Sequence, residues 1–81
     1  MSSEQAETLI RNYQDVAQAK GLPPIIANIY DRWKLVDAPS CSKAMRWLGF
    51  CQGYLVAMGV YSLDEVRLHT LITESQHAPK G

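Results

Sequence analysis

The segment from Ala44 to Tyr61 reads Ala-Met-Arg-Trp-Leu-Gly-Phe-Cys-Gln-Gly-Tyr-Leu-Val-Ala-Met-Gly-Val-Tyr. On a helical projection its apolar residues fall on nearly every side, and a helix of that kind asks to be buried on every side. Trp47 to Tyr61 carries no formal charge, but these fifteen residues make only about 22 Å of helix against a hydrocarbon core of about 30 Å. Gln52 sits in the middle, and no basic cluster flanks the segment to set an orientation. The segment therefore reads as a buried helix of a soluble fold and not as a membrane span. Gly49, Gly53 and Ala57 stand at i, i+4 and i+8, a smooth strip that suits close helix packing. Glycine inside a helix costs about 1 kcal/mol relative to alanine, so two of them need such a reason.

Working outward, the punctuation of the chain predicts helices over about 3–20, 24–36, 41–58 and 63–74. Ser2 and Gln5 have the spacing of a capping box. Ala6, Leu9, Ile10, Tyr13, Val16 and Ala17 then mark one apolar face, with Glu7, Arg11, Gln14, Asp15 and Gln18 on the polar side. Gly21 ends this helix, and Pro23-Pro24 forbids its continuation. Pro24 suits the first turn of a second helix bearing Ile25, Ile26, Ile29, Tyr30, Trp33 and Val36. Gly59 stops the third, and Ser62 to Glu65 is a second capping box opening the fourth. The expected architecture is all-α: one compact bundle of three to four helices over residues 1–74, a buried central third helix, and a disordered tail from 75 to 81.

Composition narrows the function. An apolar fraction of 47% with 20% charged residues is globular and leaves room for one domain. Eight Lys and Arg balance eight Asp and Glu, whereas a dedicated nucleic-acid binder is usually clearly basic. A helix-turn-helix over Gly59 fares no better, because its recognition helix would open on Asp64 and Glu65. The start Met-Ser-Ser-Glu-Gln-Ala-Glu lacks the basic and apolar stretches of a secretory signal. Cys41 and Cys51 are ten residues apart, about 15 Å along one helix and beyond disulfide reach. A cytoplasmic location is the expectation.

Candidates for chemistry are few. Cys41, Cys51, His69 and His77 lack paired metal-ligand spacing, and no metal or other cofactor is expected. Ser40-Cys41-Ser42-Lys43 reproduces a Ser-x-x-Lys spacing known from much larger enzymes that need two further motifs. Cys41 at a helix N-terminus would need a base such as His69, and both cysteines read better as buried small hydrophobes. No acid, base and nucleophile constellation emerges, and no catalysis is expected. Ser42, Lys43 and Arg46 at the start of the third helix suggest a phosphate or carboxylate site. Lys34 joins Lys43, Arg46, Trp33 and Trp47 in a mixed aromatic and basic patch if the second and third helices pack antiparallel.

The segment Ser42-Lys43-Ala44-Met45-Arg46-Trp47-Leu48-Gly49-Phe50-Cys51-Gln52-Gly53, continued by Gly59 to Arg67, resembles a stretch in small, functionally uncharacterised proteins encoded by tailed bacteriophages and prophages. The resemblance covers about Asp37 to His69. It implies a setting, the cytosol of an infected or lysogenic bacterium, and no activity.

Three helices of so short a chain can hardly cover a fourth completely. Some of Trp47, Phe50, Tyr54 and Met58 is therefore expected at the surface, where aromatics, Met and Arg favour interfaces. The expectation is a small accessory protein of phage type that acts by protein–protein binding, modulating host or counter-defence machinery, and forms a homodimer. Its partner-binding residues are expected to be Trp33, Lys43, Arg46, Trp47 and Tyr54. The alternative is a nucleotide or nucleic-acid module holding phosphate through Ser42, Lys43 and Arg46.

Overall fold

The computed structural model describes residues 1–36 and 41–76. Among these residues the chain is all-helical: α1 (Ser3–Ala19), α2 (Pro24–Ala27), α3 (Ile29–Val36), α4 (Cys41–Ala57) and α5 (Leu63–Gln76). The local signals hold. The Ser2 hydroxyl accepts the Gln5 amide at 3.1 Å, and Gln5 Oε1 accepts the Ser2 amide at 2.7 Å. Ser62 and Glu65 repeat the arrangement, with the Ser62 amide 2.8 Å from Glu65 Oε1. Two Schellman motifs end α1 and α4. Leu22 N–H reaches Ala17 O across Gly21 (φ 67°), and Val60 N–H reaches Leu55 O across Gly59 (φ 75°), each at 2.9 Å. Both glycines supply the left-handed φ that an L side chain resists.

The expected second helix is two helices. It breaks at Asn28, whose backbone (φ −120°, ψ 18°) leaves the α-helical region. The cause lies on α1. Gln14 Oε1 accepts the amides of Tyr30 at 2.7 Å and Asp31 at 3.3 Å, the donors that an unbroken helix would turn on Ile26 and Ala27. Gln18 Nε2 in turn donates to the freed Ala27 carbonyl at 2.8 Å. Two glutamines assigned to a polar face thus serve as caps, and Gln14 is buried in doing so.

The central position belongs to α1 and not to the third helix of the sequence reading. It packs against α2, α3, α4 and α5, while α4 packs against α1, α3 and α5. The Cα extents are 41 × 29 × 18 Å. The short dimension holds two layers of helices, since a helix with its side chains is about 10 Å across. A helix in one of two layers has one covered face. In α4 that face is Ala44, Leu48, Cys51 and Leu55, all buried, whereas Met45, Arg46, Gly49, Phe50 and Gly53 are exposed. Being apolar all round therefore does not bury α4 all round. Among the described residues no helix is long and apolar enough to cross a membrane.

The last helix also runs further than its sequence suggests. Ser75 and Gln76, expected in the tail, continue α5. Its end is tied to the start of α1: Gln5 Nε2 donates to Glu74 O at 3.4 Å, and the terminal ammonium of Met1 lies 3.3 Å from the Glu74 carboxylate. The rest of the expected tail, 77–81, lies outside the described residues, as does the 37–40 connection. A polar cluster joins α1, α4 and α5 at mid-height. Gln52 Nε2 lies 3.0 Å from Thr70 Oγ1 and 3.3 Å from Tyr13 Oη, and Tyr13 Oη lies 3.0 Å from His69 Nδ1. Gln52, half-way along the apolar segment, is thereby satisfied.

Candidate functional site

The residues singled out for partner binding do not gather in one place. Trp33 is 2% exposed, a core side chain whose ring stands 5.8 Å from that of Tyr30. It is unavailable to any partner, so its assignment to a surface patch is corrected. Its indole N–H is buried and finds no acceptor among the described residues. Lys34 turns toward α1, where its ammonium pairs with Glu7 at 3.2 Å and lies 5.8 Å from the centre of the Tyr30 ring. Arg11 covers the same ring at 5.1 Å. Tyr30 donates its phenol proton to Glu7 at 2.8 Å. That hydrogen bond first, and Lys34 second, hold the Glu7 carboxyl below the usual carboxylate range.

Arg46 and Trp47 do come together, joined by Phe50, one of the aromatics expected at the surface, and by Ile25, Ile29 and Arg32, which the sequence did not single out for binding. Between α2, α3 and α4 lies an open cleft of about 420 Å³, lined by Ile25, Ile29, Arg32, Arg46, Trp47 and Phe50. The spacing that makes it is helical. Ile25, Ile29 and Arg32 stand at i, i+4 and i+7 across the Asn28 break, and Arg46 and Phe50 stand at i and i+4 on α4. Ile25 is 46% exposed and Phe50 43%, while Trp47 is half-buried and packs against the core. Tyr54, also half-buried, supports Phe50 from one turn on, ring centres 5.8 Å apart. Arg32 and Arg46 are both exposed, and neither forms an ion pair among the described residues. Ser42 and Lys43 are exposed in the first turn of α4 and do not line the cleft.

On the other side of α4, against α5, runs a larger groove of about 720 Å³. Gly49 and Gly53 form part of it, with Val56, Leu63, Arg67 and Leu71. The close packing expected of Gly49, Gly53 and Ala57 does not occur among the described residues. A Cβ added at Gly49 or Gly53 would meet nothing within 4 Å, and Ala57 is exposed. The strip faces outward: Gly49, Gly53 and Ala57 are all exposed.

The groups that carry chemistry are engaged or enclosed. Cys51 is fully buried, and burial pushes its thiol up to about 12. His69 is turned to Tyr13 through Nδ1 and meets the Tyr61 ring edge-on at 4.7 Å. Among the described residues no three His, Cys, Asp or Glu side chains converge as a metal site would require. The Cys41 side chain, Ser40 and His77 lie outside the described residues.

Comparison with protein-family models, with curated proteins and with solved structures yields no match for this chain. The fold and the candidate site together define a two-layer helical domain with an apolar cleft whose lining includes two arginines.

Proposed function

We propose that this chain is a helical protein-binding module that docks its partner on the Ile25, Arg32, Arg46, Trp47 and Phe50 cleft. The observation that carries this reading is a mismatch. Large apolar side chains stand half in water beside two cations that have no acid in this chain to pair with among the described residues. Aromatic and arginine side chains around an apolar centre are the groups that supply most of the free energy at interfaces. Each guanidinium offers a planar fork for a carboxylate. On the resemblance of its C-terminal half to phage and prophage proteins, the setting is the bacterial cytosol and the partner a host or phage protein. A phosphate-binding role through Ser42, Lys43 and Arg46 has less support, since Arg46 shares its cleft with apolar groups and not with the other two.

Self-association belongs to the same proposal and uses the other side of α4. The groove beside Gly49 and Gly53 is flanked by Leu63 and Leu71, 59% and 63% exposed. The missing Cβ atoms let a second copy of α4 approach closely.

Affinity capture from a bacterial lysate tests the reading, with the wild-type chain and Arg46→Glu as paired baits. A specific protein held by the wild type and lost by the variant supports it. Equal retention by both baits, or no specific protein on either, removes it.

A further inference from the structure

We infer that the cleft between Arg32 and Arg46 takes an amphipathic helix from another protein, with Asp or Glu flanking its apolar anchors. The inference rests on the docking reading above and states the chemistry of the partner. The floor of the cleft asks for apolar anchors, because Ile25, Ile29, Trp47 and Phe50 line it with hydrocarbon and aromatic surface. The edges ask for acid. Asp31 adjoins Arg32 in sequence, but its carboxylate lies 3.5 Å from Gln14 Nε2 on α1. Glu7 is taken by Lys34 and Tyr30, and Glu74 by the terminal ammonium. Among the described residues, the carboxylates that pair within the chain therefore pair away from the cleft, and neither guanidinium has a carboxylate against it.

The backbone of the partner follows from what the walls are made of. Helices form the whole cleft, and among the described residues there is no strand whose edge would pair with an extended peptide. A helical segment satisfies its own amides and carbonyls against these walls, whereas an extended segment would gain no main-chain ladder from them. The volume of about 420 Å³ takes a few large side chains from one helix face, spaced i, i+3 or i+4. A nucleotide suits the cleft less well. A base stacked on Trp47 would find an apolar floor and, beside the guanidinium donors of Arg32 and Arg46, no side-chain acceptor to read its edge.

The test is selection of displayed random peptides on the immobilised full chain, in parallel with an Arg32→Glu/Arg46→Glu variant. Both arginines are exposed and without ion pairs among the described residues, so the double variant is expected to keep the wild-type melting curve. The wild type is expected to enrich peptides with Leu, Phe or Trp at helical spacing and Asp or Glu beside them. The double variant should bind those peptides at least about tenfold more weakly and enrich Lys and Arg in their place. Enriched peptides without acid, equal binding of acidic peptides to both proteins, or no enrichment at all overturns the inference. So does ATP shifting the Arg46 and Trp47 amide resonances when the selected peptides do not. If capture in cells depends on Arg46 but the selected peptides lack acid, only the partner chemistry falls. If capture is indifferent to Arg46, the docking reading falls with it.

Discussion

Gln14 Oε1 accepts the Tyr30 amide at 2.7 Å, so a side chain of α1 caps a helix sixteen residues further along the chain. That bond and its 3.3 Å companion to Asp31 set the break that aims Ile29 and Arg32 into the cleft. Replacing Gln14 by Leu leaves two first-turn amides of α3 without an acceptor in a buried place. The expected loss is about 1–3 kcal/mol, or a fall in Tm on the order of 5–15 °C for a domain this small. Thermal unfolding followed by circular dichroism measures it, and an unchanged Tm would mean that the break is set by something other than Gln14.

The outward strip on α4 predicts the opposite sign. Gly49→Ala and Gly53→Ala each place a methyl group where nothing lies within 4 Å, and each is expected to stabilise the folded chain by about 1 kcal/mol. Both should therefore raise Tm by several degrees at protein concentrations low enough to keep the chain monomeric. Light scattering on the same proteins addresses self-association. The wild type is expected to run as a dimer and Gly53→Gln as a monomer, because the longer side chain blocks approach over the strip. A wild-type monomer at high protein concentration contradicts the dimer.

Cys51 is enclosed in the core with its thiol raised to about 12, so at pH 8 almost none of it is thiolate. In a Cys41→Ser background, a thiol reagent is expected to modify Cys51 only as fast as the protein opens. The rate should follow the unfolding rate as denaturant is added. Modification complete within the mixing time under native conditions would show that the core packing around α4 is open.

The Glu7 carboxyl is held low by Tyr30 and then Lys34. A depressed folded-state value contributes stability above the unfolded carboxyl value, about 4.3. That contribution is lost as pH falls through the lower folded value. Glu7→Gln is therefore expected to be less stable than wild type at neutral pH. The gap should narrow below about pH 4.3 and close once both states are protonated. The effect is small, since the Lys34 side chain is 51% exposed and that of Glu7 34%. A gap that stays constant down to low pH would place the contribution of Glu7 in packing and not in charge.

What the sequence made legible was local. Ser2 with Gln5, Ser62 with Glu65, Gly21 and Gly59 each act within one turn, and each helix end they imply is found. The break at Asn28 was not legible because its cause, Gln14, is remote in the chain, and glutamine on a polar face gives no sign of capping. The exposure of α4 was not legible because an apolar helix reveals its appetite for cover and not the number of layers available. Trp33 and Trp47 illustrate the same limit. Both lie on apolar faces, and only the packing of α3 on α1 and α4 decides that the first is core and the second borders a cleft. Arg46 and Trp47 stand out in the sequence, and both line the cleft. Arg32 does not stand out, because its partnership with Arg46 depends on how two helices meet.

The most direct measurement is site-specific photo-crosslinking in bacterial cells, with a photoreactive phenylalanine analogue placed at Phe50 and, as a control, at Asp15 on the exposed side of α1. The account predicts a discrete heavier adduct from position 50 that disappears when Arg32→Glu and Arg46→Glu are added, and no adduct from position 15. Adducts from position 15 alone, from neither position, or from position 50 regardless of the two arginines would contradict it.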